Sequence, residues 1–168
     1  KSISVGVPES GVVANTFQIL EAYGISADMI NPLYLSFTES AEAMMNGQID
    51  AFFCTASPSV SVLHDLARSM DIRLLSLDER AISQMKIQND CLSRTVIPAG
   101  TYAGQDEDIL TVGTKAVLVS NASLDNNVVS VVLETLFENA DSLQEITNDY
   151  LPLDPSYAAE DISVPFHD

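Results

Sequence analysis

Short strand-like runs alternate with helical patterns through the first 78 residues, and this alternation limits the possible folds more than any other feature. Four apolar runs rich in β-branched or aromatic residues predict strands: SISVGV, NPLYLSF, IDAFFC and IRLLSL. Helical patterns lie between them, and only short loops join the two kinds of element. Such units form right-handed crossovers, so the sequence predicts an α/β fold with a mostly parallel sheet and helices on both faces.

Hydroxyl residues stand where the helices of this region are expected to begin. Ser10 precedes the first helix, and Thr38 or Ser40 is expected to cap the second. For the third helix we expect Ser57 as the cap and Pro58 at the first helical position. Each helix would then start just after a strand has ended.

The pattern changes after residue 78, and this change across residues 78–98 is the one candidate domain transition. ERAISQMKIQ predicts a helix, LSRTVIP a strand, and AGTYAGQDED a polar loop. ILTVGTKAVLVS predicts a long strand with a bend at Gly113.

The last part of the chain predicts two helices and an irregular tail. The longest helix is expected over residues 125–139, and a shorter one over DSLQEITND. The Pro-punctuated tail from residue 150 is expected to wrap along a surface. The inner side of the long helix is expected to carry Val128, Val131, Val132, Thr135 and Leu136.

The charge balance argues against two classes of partner. Seven Lys and Arg against 24 Asp and Glu give a formal net charge of -17. Because phosphate backbones and anionic lipid heads are also negative, we expect no nucleic acid and no membrane surface as a partner. No segment approaches the ~20 apolar residues that span a bilayer.

The two cysteines, Cys54 and Cys91, form neither a disulfide framework nor a metal-ligand spacing, so no metal or other cofactor is predicted. Cys54 lies in an apolar strand and is interpreted as a buried, inert thiol. Since Lys1 stands directly before a strand and no signal segment is present, we expect the chain to be a processed product or a piece of a longer protein.

Ser10 in GVPESGVVANTF allows three interpretations. As a nucleophile it would need a base, but only His64 and His167 are available, and His64 is more simply a surface residue. As a cap it would bind the first helical amides. With Gly11 it could also form an anion cradle, because a helix start directs free N–H groups and a positive dipole end at one point. The turn is not a nucleotide loop, because G-x-G-x-x-G and the lysine of a P-loop are absent. A carboxylate is small enough for it, and the last two interpretations stay open.

A second turn, in DAFFCTASPS, repeats this arrangement after another strand. Thr55, Ser57 and Ser59 supply hydroxyls beside Pro58. Carboxyl ends of parallel strands share one edge of a sheet, so both turns are expected to face a small polar ligand there. The alternative is that these residues are simply favourable at helix starts.

Essentially the whole chain resembles the TAXI family, the extracytoplasmic solute-binding subunits of TRAP transporters. The most specific similarities are NGQIDAFF and IPAGTYAGQDEDILTV, in the same order and spacing. ISVGVPESGVVANTFQILEAYGIS, IRLLSLDE and VPFHD add to the resemblance. The family has a periplasmic-binding-protein type II fold with two lobes and a ligand between them. By this resemblance residues 1–78 are a ligand-binding lobe, 79–98 a hinge and return region, and 99–168 a C-terminal segment of the other lobe.

The resemblance also implies the site. It places Ser10 and Gly11 in the first cradle, with Val12 where the family usually has threonine. A second cleft-facing turn and a tyrosine from the return segment complete the set: Thr55, Ala56, Ser57, Pro58 and Tyr102. The family's ligands are small carboxylates, including glutamate-like amino acids.

Three functions follow as hypotheses. The first is a non-enzymatic, monomeric binding protein outside the cytoplasm that delivers a carboxylate or amino acid to TRAP membrane subunits. A second is a ligand-sensing domain of the same fold in a regulator or receptor. An enzyme in the same cleft is the third, which the shortage of histidines disfavours. Arg80 and Arg94 are the nearest cations to the return segment, and neither is assigned to the ligand.

Overall fold

The computed structural model describes residues 1–147, 153–160, 162 and 165–167, and its elements follow the predicted α/β order. The strands are β1 Ser2–Ser4, β2 Asn31–Leu33, β3 Ala51–Phe52, β4 Ser93–Ile97 and β5 Ile109–Gly113. The helices are α1 Gly11–Ala22, α2 Phe37–Met45, α3 Ser61–Ser69, α4 Glu79–Gln88, α5 Asn126–Glu138, α6 Ala140–Thr147 and α7 Pro155–Ala159. A 3₁₀ turn, Ala27–Met29, precedes β2.

The parallel sheet has β1 in the middle, with β2 and β3 on its two sides. Ser4 of β1 pairs with Leu33 of β2 and with Phe52 of β3, both in parallel register. β4 and β5 form a separate antiparallel hairpin. The predicted α/β class with a parallel sheet is therefore confirmed for three strands.

The strand order places α1 and α2 on opposite faces of the parallel sheet. From β1 the chain crosses to β2 on one side, and from β2 it crosses back over β1 to β3 on the other side. Because such crossovers are right-handed, the helices in these two connections lie on opposite faces of the sheet. Buried hydroxyls from both helices reach β1. Thr16 of α1 donates to the carbonyl of Val5 at 3.4 Å, and the Ser40 hydroxyl of α2 lies 2.7 Å from the Ser4 hydroxyl.

A compact apolar cluster joins α1 to α4 and to the hairpin. Its buried members are Ala22, Ala81, Met85 and Leu92, with Ile19 and Val112 packed against them. The cluster draws residues from all three predicted segments, 1–78, 79–98 and 99–168. That division into lobe, hinge and second lobe stays a prediction.

The predicted fourth strand, IRLLSL, is wrong, because residues 72–77 form no ladder. The Leu77 N–H donates to the Leu110 carbonyl at 2.8 Å, but the Leu110 N–H donates to the Ser76 hydroxyl at 2.9 Å. A side-chain oxygen therefore takes the place of a backbone carbonyl, and the segment lies beside β5 through isolated bonds.

The cap of α2 is Ser36, so the predicted caps Thr38 and Ser40 are wrong. Ser36 and Glu39 form a complete capping box, in which each side chain binds the other's backbone N–H. Ser40 lies one turn later, buried against β1, and its hydroxyl also donates to the Ser36 carbonyl.

The start of α3 also differs from the prediction. α3 begins at Ser61, and its N-cap Val60 makes no side-chain capping bond. The Ser57 hydroxyl accepts from the Ser59 N–H at 3.3 Å, and the Val60 N–H donates to the Ser57 carbonyl at 3.1 Å. Ser57 and Pro58 therefore form a polar turn before the helix, and neither caps it or begins it.

The C-terminal third is less packed than its apolar pattern predicts. β5 ends at Gly113, so the predicted strand does not continue to residue 120. The long helix is confirmed as α5, but its predicted inner side is exposed: Val128, Val131 and Val132 are 47, 59 and 40 % accessible. α7 forms within the predicted irregular tail. The rest of that tail, and the end of the short helix after residue 147, lie partly outside the described residues.

Candidate functional site

The carboxyl ends of β1 and β3 lie side by side, and the chain leaves them in opposite directions. The Phe53 N–H donates to the Ser4 carbonyl at 3.0 Å just where the two strands end. From β1 the chain enters α1, which packs on α4, and from β3 it reaches α3, which packs on α2. Neighbouring parallel strands whose connections leave toward opposite faces form a crevice at this edge, where ligands of open α/β sheets bind. We call residues 6–12 the first turn, and residues 55–60 the second turn.

The first turn depends on a glycine and on the cap of α1. Gly6 has φ +99°, and a Cβ at this position would lie 2.8 Å from the Cβ of Val12. Ser10 is the N-cap of α1, and its hydroxyl accepts from the Val13 N–H at 3.4 Å. The N–H groups of Gly11 and Val12 precede any helical carbonyl that they could bind. The capping role predicted for Ser10 is confirmed, and Gly11 is exposed beside it.

The second turn is tied directly to α1. Thr55, Ala56, Ser57 and Pro58 are all exposed. The Asn15 side-chain amide donates to the Thr55 hydroxyl at 3.2 Å. Because that hydroxyl oxygen accepts from Asn15, its own hydrogen remains available to a ligand.

Sequence reasoning did not find Asn15. Its signal is its spacing, because Asn15 lies three and four residues after Val12 and Gly11 and shares their face of α1. A polar residue there looks like any other solvent-facing helical residue until the position of the second turn is known.

Tyr102 reaches this region from the loop between β4 and β5. It is buried, with 4 % of its surface accessible, and its ring centroid lies 4.8 Å from that of His64 on α3. Burial raises the pKa of Tyr102, and the nearby Cys54 raises it further. No partner of its hydroxyl is seen within the described ranges. The structure therefore brings Tyr102 to the side of the sheet on which the second turn begins.

Gln105 organises the loop that carries Tyr102, and sequence reasoning did not find it. Its side-chain carbonyl accepts from the Tyr102 N–H at 3.2 Å. Its amide donates to the carbonyls of Pro98 and Glu107, both at 2.9 Å. These bonds add to the backbone bond from the Gly100 N–H to the Gln105 carbonyl at 2.8 Å, and no periodicity in the sequence could reveal them.

Comparison with models of known protein families gives a match that extends over all 168 residues. Residues 1–168 match the model of the NMT1-like family. The chain belongs to the NMT1-like family. This family is of periplasmic-binding type, so the NMT1-like chain is a solute-binding domain for a small molecule. Within the ranges that the structure describes, no helix is both long and apolar enough to cross a bilayer.

The arginines nearest to the return segment do not lie at the two turns of this NMT1-like domain. Arg94 forms an ion pair with Glu79 at 2.9 Å. Arg80 lines a depression of about 270 Å³ with Glu21 and Tyr23, at the end of α1 away from Gly11. A second depression, about 290 Å³, lies between α2 and α3, and neither depression includes a residue of the two turns. The groups that the two turns offer to a ligand are therefore backbone amides and hydroxyls.

Cys54 of the NMT1-like domain should resist alkylation. Burial raises the pKa of its thiol from 9.0 to about 11, which lowers the reactive thiolate fraction about a hundredfold at pH 8. We expect iodoacetamide to modify the exposed Cys91 well before Cys54, as measured by mass spectrometry of timed digests. The denatured chain is the control, because both thiols should then react at similar rates. Equal rates in the folded protein would show that Cys54 is not shielded.

Proposed function

We propose that this chain is the binding domain of an extracytoplasmic TAXI-type subunit that delivers a small carboxylate or amino acid, such as glutamate, to the membrane subunits of a TRAP transporter. It works as a monomer and without converting its ligand. The observation that carries this proposal is the hydrogen bond between Asn15 of α1 and Thr55, which brings the second turn beside the start of α1. The family match and the resemblance to TAXI proteins in NGQIDAFF and IPAGTYAGQDEDILTV support it.

The ligand's carboxylate docks at the start of α1. There the N–H groups of Gly11 and Val12 and the positive end of a 12-residue helix favour a negative charge. Thr55 donates its hydroxyl hydrogen from the second turn, and Ser57 adds a further hydroxyl. Tyr102 supplies its phenol from the hairpin loop.

The net charge of -17 does not prevent this binding. At physiological salt, exposed charges farther away than about 8–10 Å are screened, whereas N–H donors act at contact distance. Association should therefore be slowed at low salt, while the bound complex keeps its hydrogen bonds.

The two reactive side chains nearest to the crevice, Cys54 and His64, agree with a protein that binds its ligand without converting it. The Cys54 thiol stays protonated at neutral pH, because burial raises its pKa to about 11. The His64 Nε2 atom lies 3.1 Å from the Pro58 carbonyl and donates its hydrogen to it.

Closure of a second lobe over the crevice buries the bound ligand, and the membrane subunits recognise the closed form.

Isothermal titration of the full-length protein with glutamate and related acids tests the proposal. We expect Thr55→Val to weaken glutamate binding by about 10- to 100-fold, because it removes a hydrogen bond to a charged group. Thr114→Val is the matched control, since Thr114 follows β5 at the end of the hairpin away from Tyr102. It should leave the affinity unchanged. Absence of heat with every carboxylate, or equal losses in both variants, would contradict the proposal.

A further inference from the structure

His64 makes two contacts that join separate parts of the candidate site. It lies in the first turn of α3 and is half-buried. Its Nε2 atom is 3.1 Å from the Pro58 carbonyl, and its ring is 4.8 Å from the Tyr102 ring, with the planes tilted by 50°. One imidazole therefore contacts both the second turn and the hairpin loop. Interpreting it as a plain surface residue misses this.

The contact with Pro58 holds the second turn from the side of α3. Pro58 has no N–H, so its carbonyl is the backbone group through which neighbours can fix it. Thr55 ties the start of the turn to Asn15 of α1 at 3.2 Å, and the Ser57 and Ser59 hydroxyls lie 3.1 Å apart within it. The bond from His64 reaches across six residues and ties the turn to α3.

We propose that His64 is a positioning residue that orders the second turn and holds Tyr102 beside it, and thereby sets the ligand affinity of the crevice. This inference rests on the proposed function, because affinity is defined only for a ligand bound there. Its physical basis is pre-organisation: a turn that is already ordered loses less conformational entropy when the ligand binds.

Two substitutions separate the two contacts. His64→Phe keeps a ring against Tyr102 but cannot donate to Pro58. His64→Gln places an amide donor near the position of Nε2 but removes the ring. NMR order parameters of the Ala56 and Ser57 amides report the second turn, and the Tyr102 ring resonances report the aromatic contact. Thermal unfolding of each variant checks that the fold is retained.

In His64→Phe we expect the order parameters of Ala56 and Ser57 to fall from about 0.85 toward 0.6, and glutamate affinity to fall about three- to tenfold. His64→Gln should restore the order parameters while shifting the Tyr102 resonances. Unchanged order parameters in His64→Phe would overturn the inference, and so would a loosened turn with unchanged affinity. If the wild-type protein binds no carboxylate, the proposed function fails, but the order parameters still decide whether His64 positions the turn.

Discussion

Replacing Gly6 with alanine should lower the free energy of unfolding by about 3–5 kcal/mol. Two costs combine at this position. Gly6 has φ +99°, which a residue with a Cβ rarely adopts, and the added Cβ would lie 2.8 Å from both Cβ and Cγ1 of Val12. Val12 is held by the first turn of α1 and cannot move without displacing the cap at Ser10. Urea denaturation monitored by circular dichroism measures the change.

Gly24→Ala provides the matched control for this prediction. Gly24 also has a positive φ, +71°, but a Cβ there would meet nothing within 4 Å. Gly24→Ala should therefore lower the free energy of unfolding only by the conformational penalty, about 1–2 kcal/mol. If both variants lose the same stability, the collision with Val12 is not real. Because Gly6 lies next to the proposed cradle, its variant should also weaken glutamate binding in the fraction that remains folded.

The elements that sequence reasoning predicted correctly are those whose signal is local. The alternation of apolar runs and helical patterns predicts the parallel arrangement of β1, β2 and β3, which the structure confirms. Ser10 follows a strand and precedes an apolar helical face, and it is the cap of α1. In both cases neighbouring residues along the chain carry the information.

The errors arose where a side-chain hydroxyl binds a backbone group other than the one that the local pattern indicates. Ser57 had the right residue type for a cap, but its hydroxyl binds Ser59 in a turn before α3. Residues 72–77 had the composition of a strand, but the Ser76 hydroxyl takes the Leu110 N–H. Residue type alone cannot distinguish a capping hydroxyl from one that binds another backbone group nearby.

The residues of the candidate site also fall into two groups, those that the sequence predicts and those that it does not. Ser10 and Thr55 could be predicted, because a hydroxyl after a strand in a parallel sheet lies at a known edge. Asn15 and His64 could not, because only the folded chain brings Asn15 to Thr55 and His64 to Tyr102. Tyr102 came from a family resemblance, and no periodicity in AGTYAGQDED indicates that its ring packs on His64.

Met85→Ala should lower the free energy of unfolding by about 2–5 kcal/mol, because it leaves a cavity in the cluster that joins α1 to α4. Met85 is 1 % accessible and packs with Ala22, Ala81 and Leu92. Met45→Ala, at a methionine that is 51 % accessible on α2, should change stability by less than about 0.5 kcal/mol.

Ala22 lies at the opposite end of α1 from Gly11, about 16 Å away at 1.5 Å per residue. The folded fraction of Met85→Ala should therefore bind glutamate as the wild type does, and a parallel loss of affinity would show that the core and the crevice are coupled.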